Sequence, residues 1–92
     1  SMKAFEAKIY GRVQMVMFRD FVQRKASARN ITGWVKNNPD KTVSVYAEGE
    51  ERKVEELLLL LKKGPIFAKV EKVERRDVSP LGMFQNFSIQ YK

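Results

Sequence analysis

Two side chains in this sequence stand where they could bind an anionic group and a water molecule. Arg19 ends the stretch GRVQMVMFR (residues 11–19), and Asn37 ends the stretch ITGWVKN (residues 31–37). A guanidinium binds a phosphate or carboxylate through two parallel hydrogen bonds, and an amide can hold a water molecule because it carries both donor and acceptor atoms. Each residue alone also fits a plain structural role, as an exposed helical arginine or a turn asparagine.

Arg19 lies where a predicted strand leads into a predicted helix. Residues 3–10 alternate apolar and polar side chains, which is the period of a half-buried strand. Helical spacing begins at Phe18, and this helix should end near Asn30. Its apolar positions are Phe18, Phe21, Val22 and Ala26. Because the first backbone N–H groups of a helix are unpaired and carry positive partial charge, the loop before it is a candidate anion site.

Asn37 lies at the end of a second predicted strand, over residues 31–37, directly before the turn residues NPDK. Residues 42–49 alternate as a third strand. Residues 68–78 predict a fourth strand, and a last strand follows at the C-terminus. The alternating positions of that last strand are Phe87, Ile89 and Tyr91.

A second helix is predicted between the third and fourth strands. Its apolar residues repeat at i, i+3, i+4 and i+7, and Gly64-Pro65 ends it. These residues are Val54, Leu57, Leu58 and Leu61. The order predicts an α+β fold, a ferredoxin-like βαββαβ sandwich with a mainly antiparallel sheet and two helices on one face.

The composition limits the chemistry that is possible. The sequence contains no histidine and no cysteine, so thiolate metal sites, cysteine nucleophiles and the commonest general base are excluded. The formal charge of +7 favours an anionic partner. The longest apolar run, residues 57–61, is too short to span a bilayer. We expect a single domain over residues 1–92, with Ser1 as a cloning remnant, in a monomeric cytoplasmic protein without a membrane partner.

The stretches that carry Arg19 and Asn37 also resemble a known family. GRVQMVMFR and GWVKNNPDKTV (residues 33–43) are similar to G-x-V-Q-G-V-x-F-R and G-x-V-x-N-x-x-D-G-x-V, the two signatures of the acylphosphatase family. AEG at residues 47–49, KKGP at residues 62–65 and FQNFSI near the C-terminus extend the resemblance over nearly the whole chain.

The resemblance implies hydrolysis of acyl phosphates to carboxylate and phosphate, with neither a metal nor another cofactor. By the same resemblance, Arg19 binds the phosphate, Asn37 orients the attacking water, and backbone amides form a cradle that could also hold free phosphate or sulfate. The cradle comprises Gln14, Met15, Val16, Met17 and Phe18, next to Arg19. This chemistry suits a chain without histidine, because carboxylate is a good leaving group and phosphoryl transfer depends mainly on positioning and charge stabilisation.

Two positions depart from the signatures. Met15 stands where the family has glycine in the loop, and Lys41 stands where it has glycine in the turn after the second strand. A glycine at such positions supplies a positive φ or room for a close ligand, and a side chain there costs roughly 1 kcal/mol or more. Met15 is therefore expected to alter the cradle, whereas Lys41 should affect stability more than chemistry.

Two alternatives to an active acylphosphatase remain at the level of sequence. One is a phosphate-binding relic of the family without turnover. The other is an RNA-binding module of the same element order, with which the basic charge and the strand aromatics would agree. The RNA-binding signature K/R-G-F/Y-G/A-F-V-x-F/Y is absent from the third strand, which argues against nucleic acid as a partner.

Overall fold

A mixed sheet with two helices on one face forms the protein. The computed structural model describes residues 1–15 and 17–91. The elements are β1 (Met2–Arg12), α1 (Phe18–Ser27), β2 (Thr32–Asn37), β3 (Val43–Glu50), α2 (Glu51–Lys63), β4 (Lys69–Val78) and β5 (Phe87–Gln90). The strand order is β4-β1-β3-β2-β5, with β2 and β5 parallel and the other pairs antiparallel. The predicted ferredoxin-like arrangement is confirmed, with β5 added beside β2 as a strand beyond the βαββαβ order.

The core lies between the sheet and the helices because each strand turns alternate residues to that face. β1 contributes Phe5, Ala7 and Ile9, as its alternation predicts. The predicted apolar stripes of both helices are also buried. Removing a side chain of this size from water stabilises the fold by roughly 1.5–3 kcal/mol. The helices are therefore held against the sheet by their apolar faces, and Phe18, the first residue of α1, is among the buried residues.

The end of α1 differs from its predicted position by a few residues. Regular helix ends at Ser27, and the chain then closes with Asn30 in the left-handed region at φ 56°. The Asn30 amide donates to Ser27 O, and the Ile31 amide donates to Ala26 O. This is the Schellman pattern, in which a left-handed residue satisfies the last carbonyls of a helix. Asn30 thus marks the turn out of the helix and not its last regular residue.

The last strand is shorter than its alternation predicts. β5 ends at Gln90, so Tyr91 lies beyond it with its side chain exposed. The segment that leads to β5, residues 79–86, is anchored where the amides of Leu81 and Gly82 donate to the buried Glu48 carboxylate. Of the helices described, none is long and apolar enough to cross a membrane.

Candidate active site

The loop between β1 and α1, hereafter the crossing loop (residues 13–17), follows a bulge in the pairing of β1 with β4. The register of β1 against β4 shifts between Tyr10 and Gly11. Gly11 has φ 126°, and a Cβ there would lie 2.1 Å from Lys69 O. Only glycine fits so close to a neighbouring backbone. Gly11 therefore allows β1 to stay paired with β4 as far as Arg12, directly before the crossing loop.

Two methionines of the crossing loop hold a backbone conformation that favours glycine. Met15 has φ 58° and Met17 has φ 62°, both in the left-handed region. A residue other than glycine pays about 1–3 kcal/mol for such a conformation, which surrounding structure must offset. Met15 therefore has positive φ at the position where the family signature has glycine. The Met15 side chain extends into solvent with 98% of its surface exposed, so it meets no obstacle there, but the backbone cost of positive φ remains.

The backbone amides at the start of α1 point to an oxyanion site. Met17 is the N-cap of α1 and makes no side-chain cap hydrogen bond. Within the described ranges, the amides of Met15, Met17, Phe18 and Arg19 have no protein acceptor. Unpaired N–H groups at a helix N-terminus, together with the helix dipole, attract negative charge.

Arg19 and Asn37 lie on one pocket of about 250 Å³, although one belongs to α1 and the other to the end of β2. The pocket is lined by Val13, Met15, Met17, Phe18, Arg19, Asp20, Asn37, Ile89 and Tyr91. Asn37 Oδ1 is buried and has no hydrogen-bond partner among the described residues. A buried carbonyl oxygen without a hydrogen-bond partner lowers the stability of the fold by about 1–3 kcal/mol. This acceptor is therefore available to a water molecule or a ligand in the pocket.

Tyr91 is a site residue that the sequence pattern did not identify. The Arg19 guanidinium carbon lies 5.0 Å from the centre of the Tyr91 ring, a cation–π contact. Tyr91 reaches this place because β5 pairs with β2 in a register that joins Ile89 to Val35. Tyr91 and Asn37 each follow two residues after this pair, and both line the pocket. The pairing of β5 with β2 is therefore the feature that could have identified Tyr91.

Gln14 has a role different from that of its neighbours in the proposed cradle. Its side-chain amide donates to Asn38 O and to Thr42 O, each at 2.9 Å. The Gln14 side chain therefore ties the crossing loop to the turn after β2. Phe18 contributes its backbone, because its side chain is buried in the core. Val16, which the sequence also assigns to the cradle, lies outside the described residues.

The turn between β2 and β3, hereafter the hairpin turn (residues 38–42), holds the second residue that replaces a signature glycine. Lys41 has φ 75°. Its amide donates to Asn38 O at 3.1 Å, and the Asn38 amide donates to Thr42 O at 2.8 Å. Asp40 Oδ1 accepts from both the amide and the hydroxyl of Thr42. These bonds and Lys8, whose ammonium lies 3.1 Å from the Asp40 carboxylate, lower the pKa of Asp40 to about 2.

Acidic groups contribute little to the pocket. Asp20 lines it, but Arg24 Nε donates to the Asp20 carboxylate at 2.8 Å from the next turn of α1. Across residues 1–15 and 17–91, no group of three or more metal-ligating His, Cys, Asp or Glu side chains occurs. Arg19, the loop amides and Asn37 are thus the groups best arranged to act on an anion.

The fold and the pocket define a class of protein: a ferredoxin-like α+β domain with a candidate oxyanion site at a strand-to-helix crossing. Residues 5–89 match the Acylphosphatase family. An acylphosphatase of Geobacillus thermodenitrificans is 48% identical over 81 residues, which cover 86% of each chain. The acylphosphatase of Bacillus subtilis has a TM-score of 0.93 at 36% identity, covering 99% of this chain and 100% of that one. The chain belongs to the acylphosphatase family.

A second solved structure agrees with this assignment. An acylphosphatase from Coxiella burnetii has a TM-score of 0.91 at 30% identity, covering 97% of this chain and 93% of that one. The resemblance in the sequence is therefore confirmed over its full extent. Neither the RNA-binding module nor the phosphate-binding relic is favoured by these relatives.

Proposed function

We propose that this protein hydrolyses acyl phosphates in the pocket between the crossing loop and the end of β2. The phosphoryl group binds the loop amides and the Arg19 guanidinium, and Asn37 orients the attacking water. The observation that carries this proposal is Asn37 Oδ1, a buried acceptor without a partner among the described residues, on the same pocket as Arg19.

The reaction needs positioning and charge stabilisation more than proton transfer. Water forms a bond to phosphorus while the bond from phosphorus to the acyl oxygen breaks, and the carboxylate leaves without protonation. Amide donors and a guanidinium aimed at the phosphoryl oxygens stabilise charge in the transition state. Asn37 cannot remove a proton at neutral pH, so its part is to accept a hydrogen bond from the water. The proton that the water loses passes to a phosphate oxygen.

Hydrolysis of benzoyl phosphate, followed together with phosphate binding, tests the proposed site. A crystal soaked with phosphate or sulfate should hold the oxyanion between the backbone of residues 14–18 and the Arg19 guanidinium. An oxyanion bound only at unrelated lysines, with Arg19 turned to solvent, would contradict the cradle. Absence of hydrolysis at high enzyme concentration, despite bound phosphate, would favour the relic without turnover.

We further propose that the protein acts as a monomer and a single domain in the cytoplasm. The pocket draws Arg19, Asn37 and Tyr91 from one chain, so a second copy is not needed to complete it. Sedimentation of the active protein should give the mass of one chain, and fractionation of cells should recover the activity with cytoplasmic markers.

A further inference from the structure

Three large apolar side chains stand exposed around the pocket that holds Arg19 and Asn37. They are Met15, Met17 and Tyr91, hereafter the rim, with exposed fractions of 98%, 72% and 78%. All three line the pocket. Exposed apolar residues scattered singly need no explanation, but a group of them around one cavity marks a binding surface.

The position of the rim suits the part of the substrate that is not phosphate. If the phosphoryl group occupies the loop amides and Arg19, the acyl group is attached through one oxygen and must extend away from them. Ile89 and Val13 line the pocket together with the rim. An acyl group that leaves the cradle can therefore contact the apolar side chains of the rim, with Asp20 as a polar neighbour on the same pocket.

Each rim residue is suited to contact an apolar group. Methionine is flexible and polarisable, so it packs against ligands of irregular shape and makes favourable contacts with aromatic rings. The Tyr91 ring is already oriented by the Arg19 guanidinium, 5.0 Å from its centre. Because both methionines are largely exposed without ligand, covering them with an apolar acyl group removes carbon and sulfur surface from water.

We propose that the rim is an acyl-binding subsite that selects acyl phosphates with aromatic or bulky aliphatic acyl groups over acetyl phosphate. This inference rests on the proposed function, because it assigns the phosphoryl group to the cradle. Met15 contributes to the subsite at the position where the family signature has glycine, a residue without a side chain. The same substitution that strains the crossing loop therefore also supplies apolar contact area.

Glutamine variants of the two methionines test the subsite with little change of side-chain length. In Met15→Gln/Met17→Gln, kcat/KM for benzoyl phosphate should fall about tenfold relative to kcat/KM for acetyl phosphate. Inhibition by inorganic phosphate reports on the cradle separately, because the substitutions change side chains and keep the loop amides; it should change less than the ratio of the two kcat/KM values. Met83→Gln is the matched control, because Met83 is an exposed methionine that does not line the pocket.

A binding arm separates failure of the subsite from failure of the proposed function. Phenylphosphonate and methylphosphonate cannot be hydrolysed as acyl phosphates, and calorimetry gives their affinities directly. The parent should bind phenylphosphonate more tightly than methylphosphonate, and the double variant should lose most of that preference. An equal preference in parent and double variant overturns the subsite, even if hydrolysis is normal. If the parent hydrolyses neither benzoyl phosphate nor acetyl phosphate, the proposed function is overturned. The subsite is still supported in that case if the parent prefers phenylphosphonate and the double variant loses this preference.

Discussion

The crossing loop and the hairpin turn both contain a strained backbone position, but different contacts surround it in each. Each holds a residue with positive φ where the family signature has glycine, Met15 at 58° and Lys41 at 75°. Around Lys41, backbone and side-chain hydrogen bonds connect Asn38, Asp40 and Thr42. Around Met15, the described contacts to the rest of the fold are fewer, and the main one is made by the side chain of Gln14.

The difference between the two regions follows from what each must leave free. A turn that only reverses the chain can satisfy its polar groups internally, and those bonds offset the strain at Lys41. A loop that binds an oxyanion must keep its N–H groups available for the ligand. Among the described residues, fewer hydrogen bonds offset the strain at Met15 than at Lys41. We expect changes in the crossing loop to alter chemistry and changes in the hairpin turn to alter stability.

The sharpest test of this division is Arg19→Lys. A lysine ammonium cannot reproduce the planar two-bond contact of a guanidinium, and loss of one oxyanion donor costs about 10²–10³ in kcat. Turnover of benzoyl phosphate should nearly vanish while the thermal unfolding temperature stays close to that of the parent. Arg52→Lys, on α2 and outside the pocket, should keep the parent rate. An Arg19→Lys variant with more than half of the parent rate would remove Arg19 from the mechanism.

Asn37→Ala should separate binding from chemistry within the site. Its Oδ1 atom has a water as its proposed partner and not the phosphoryl group, so the variant should lose rate without losing phosphate affinity. We expect kcat to fall about 10²-fold, as misplacement of a reacting group does. Steady-state kinetics with phosphate as inhibitor measures both quantities, and Asn86→Ala serves as control because Asn86 does not line the pocket. Equal losses of affinity and rate would make Asn37 a phosphate ligand or a structural residue.

Met15→Gly should raise activity if strain limits the free loop. Glycine removes the cost of φ 58°, so the conformation that binds phosphate becomes more populated. With acetyl phosphate, whose small acyl group depends least on the rim, turnover should rise at least about tenfold, equivalent to roughly 1.4 kcal/mol. Phosphate should bind more tightly in the same variant. If neither quantity changes, the crossing loop tolerates methionine without functional cost.

The sequence predicted the elements better than it predicted the contacts between them. Local periodicity located β1, both helices and the ends that carry Arg19 and Asn37, because apolar spacing depends on neighbours along the chain. Tyr91 was assigned to the last strand, and its contact with Arg19 was not predicted. That contact depends on the pairing of β5 with β2, strands distant in sequence, which periodicity does not specify. The roles assigned to Arg19 and Asn37 remain predictions.

Positive φ at Met15 and Lys41 could be anticipated only through the family signatures. Neither methionine nor lysine favours the left-handed region, so their own propensities predict ordinary backbone. The hydrogen bonds from the Gln14 side chain to the hairpin turn were also not predicted. The sequence around a glutamine does not specify hydrogen-bond partners that lie 24 or 28 residues away. Such contacts arise from the tertiary fold.

Lys41→Gly should affect stability and leave chemistry unchanged. Relief of the left-handed conformation favours the variant by about 1–2 kcal/mol, and the greater freedom of glycine in the unfolded chain offsets about 0.4–1 kcal/mol. The net gain should lie between about 0 and 1.6 kcal/mol, with a midpoint of about 0.8, which thermal denaturation detects as a rise of several degrees in Tm. The rate should stay within about twofold of the parent value. A tenfold change in rate would contradict the division between the two regions.

Asp40→Asn should produce the smallest effect, because the group is exposed and solvent screens its charge. Hydrogen bonds from Thr42 and the ammonium of Lys8 depress the pKa of Asp40 in the folded protein to about 2, below its unfolded value of about 3.9. A depressed carboxyl pKa contributes stability above the unfolded pKa, and this contribution is lost as the pH falls towards the folded pKa. The parent should therefore be more stable than the variant at pH 6, and the gap in Tm should narrow between about pH 4 and pH 2. Glu55 titrates in both proteins, so the difference isolates Asp40. A gap that is constant over this range would mean that the carboxylate charge contributes nothing and that the hairpin turn is held by its neutral hydrogen bonds alone.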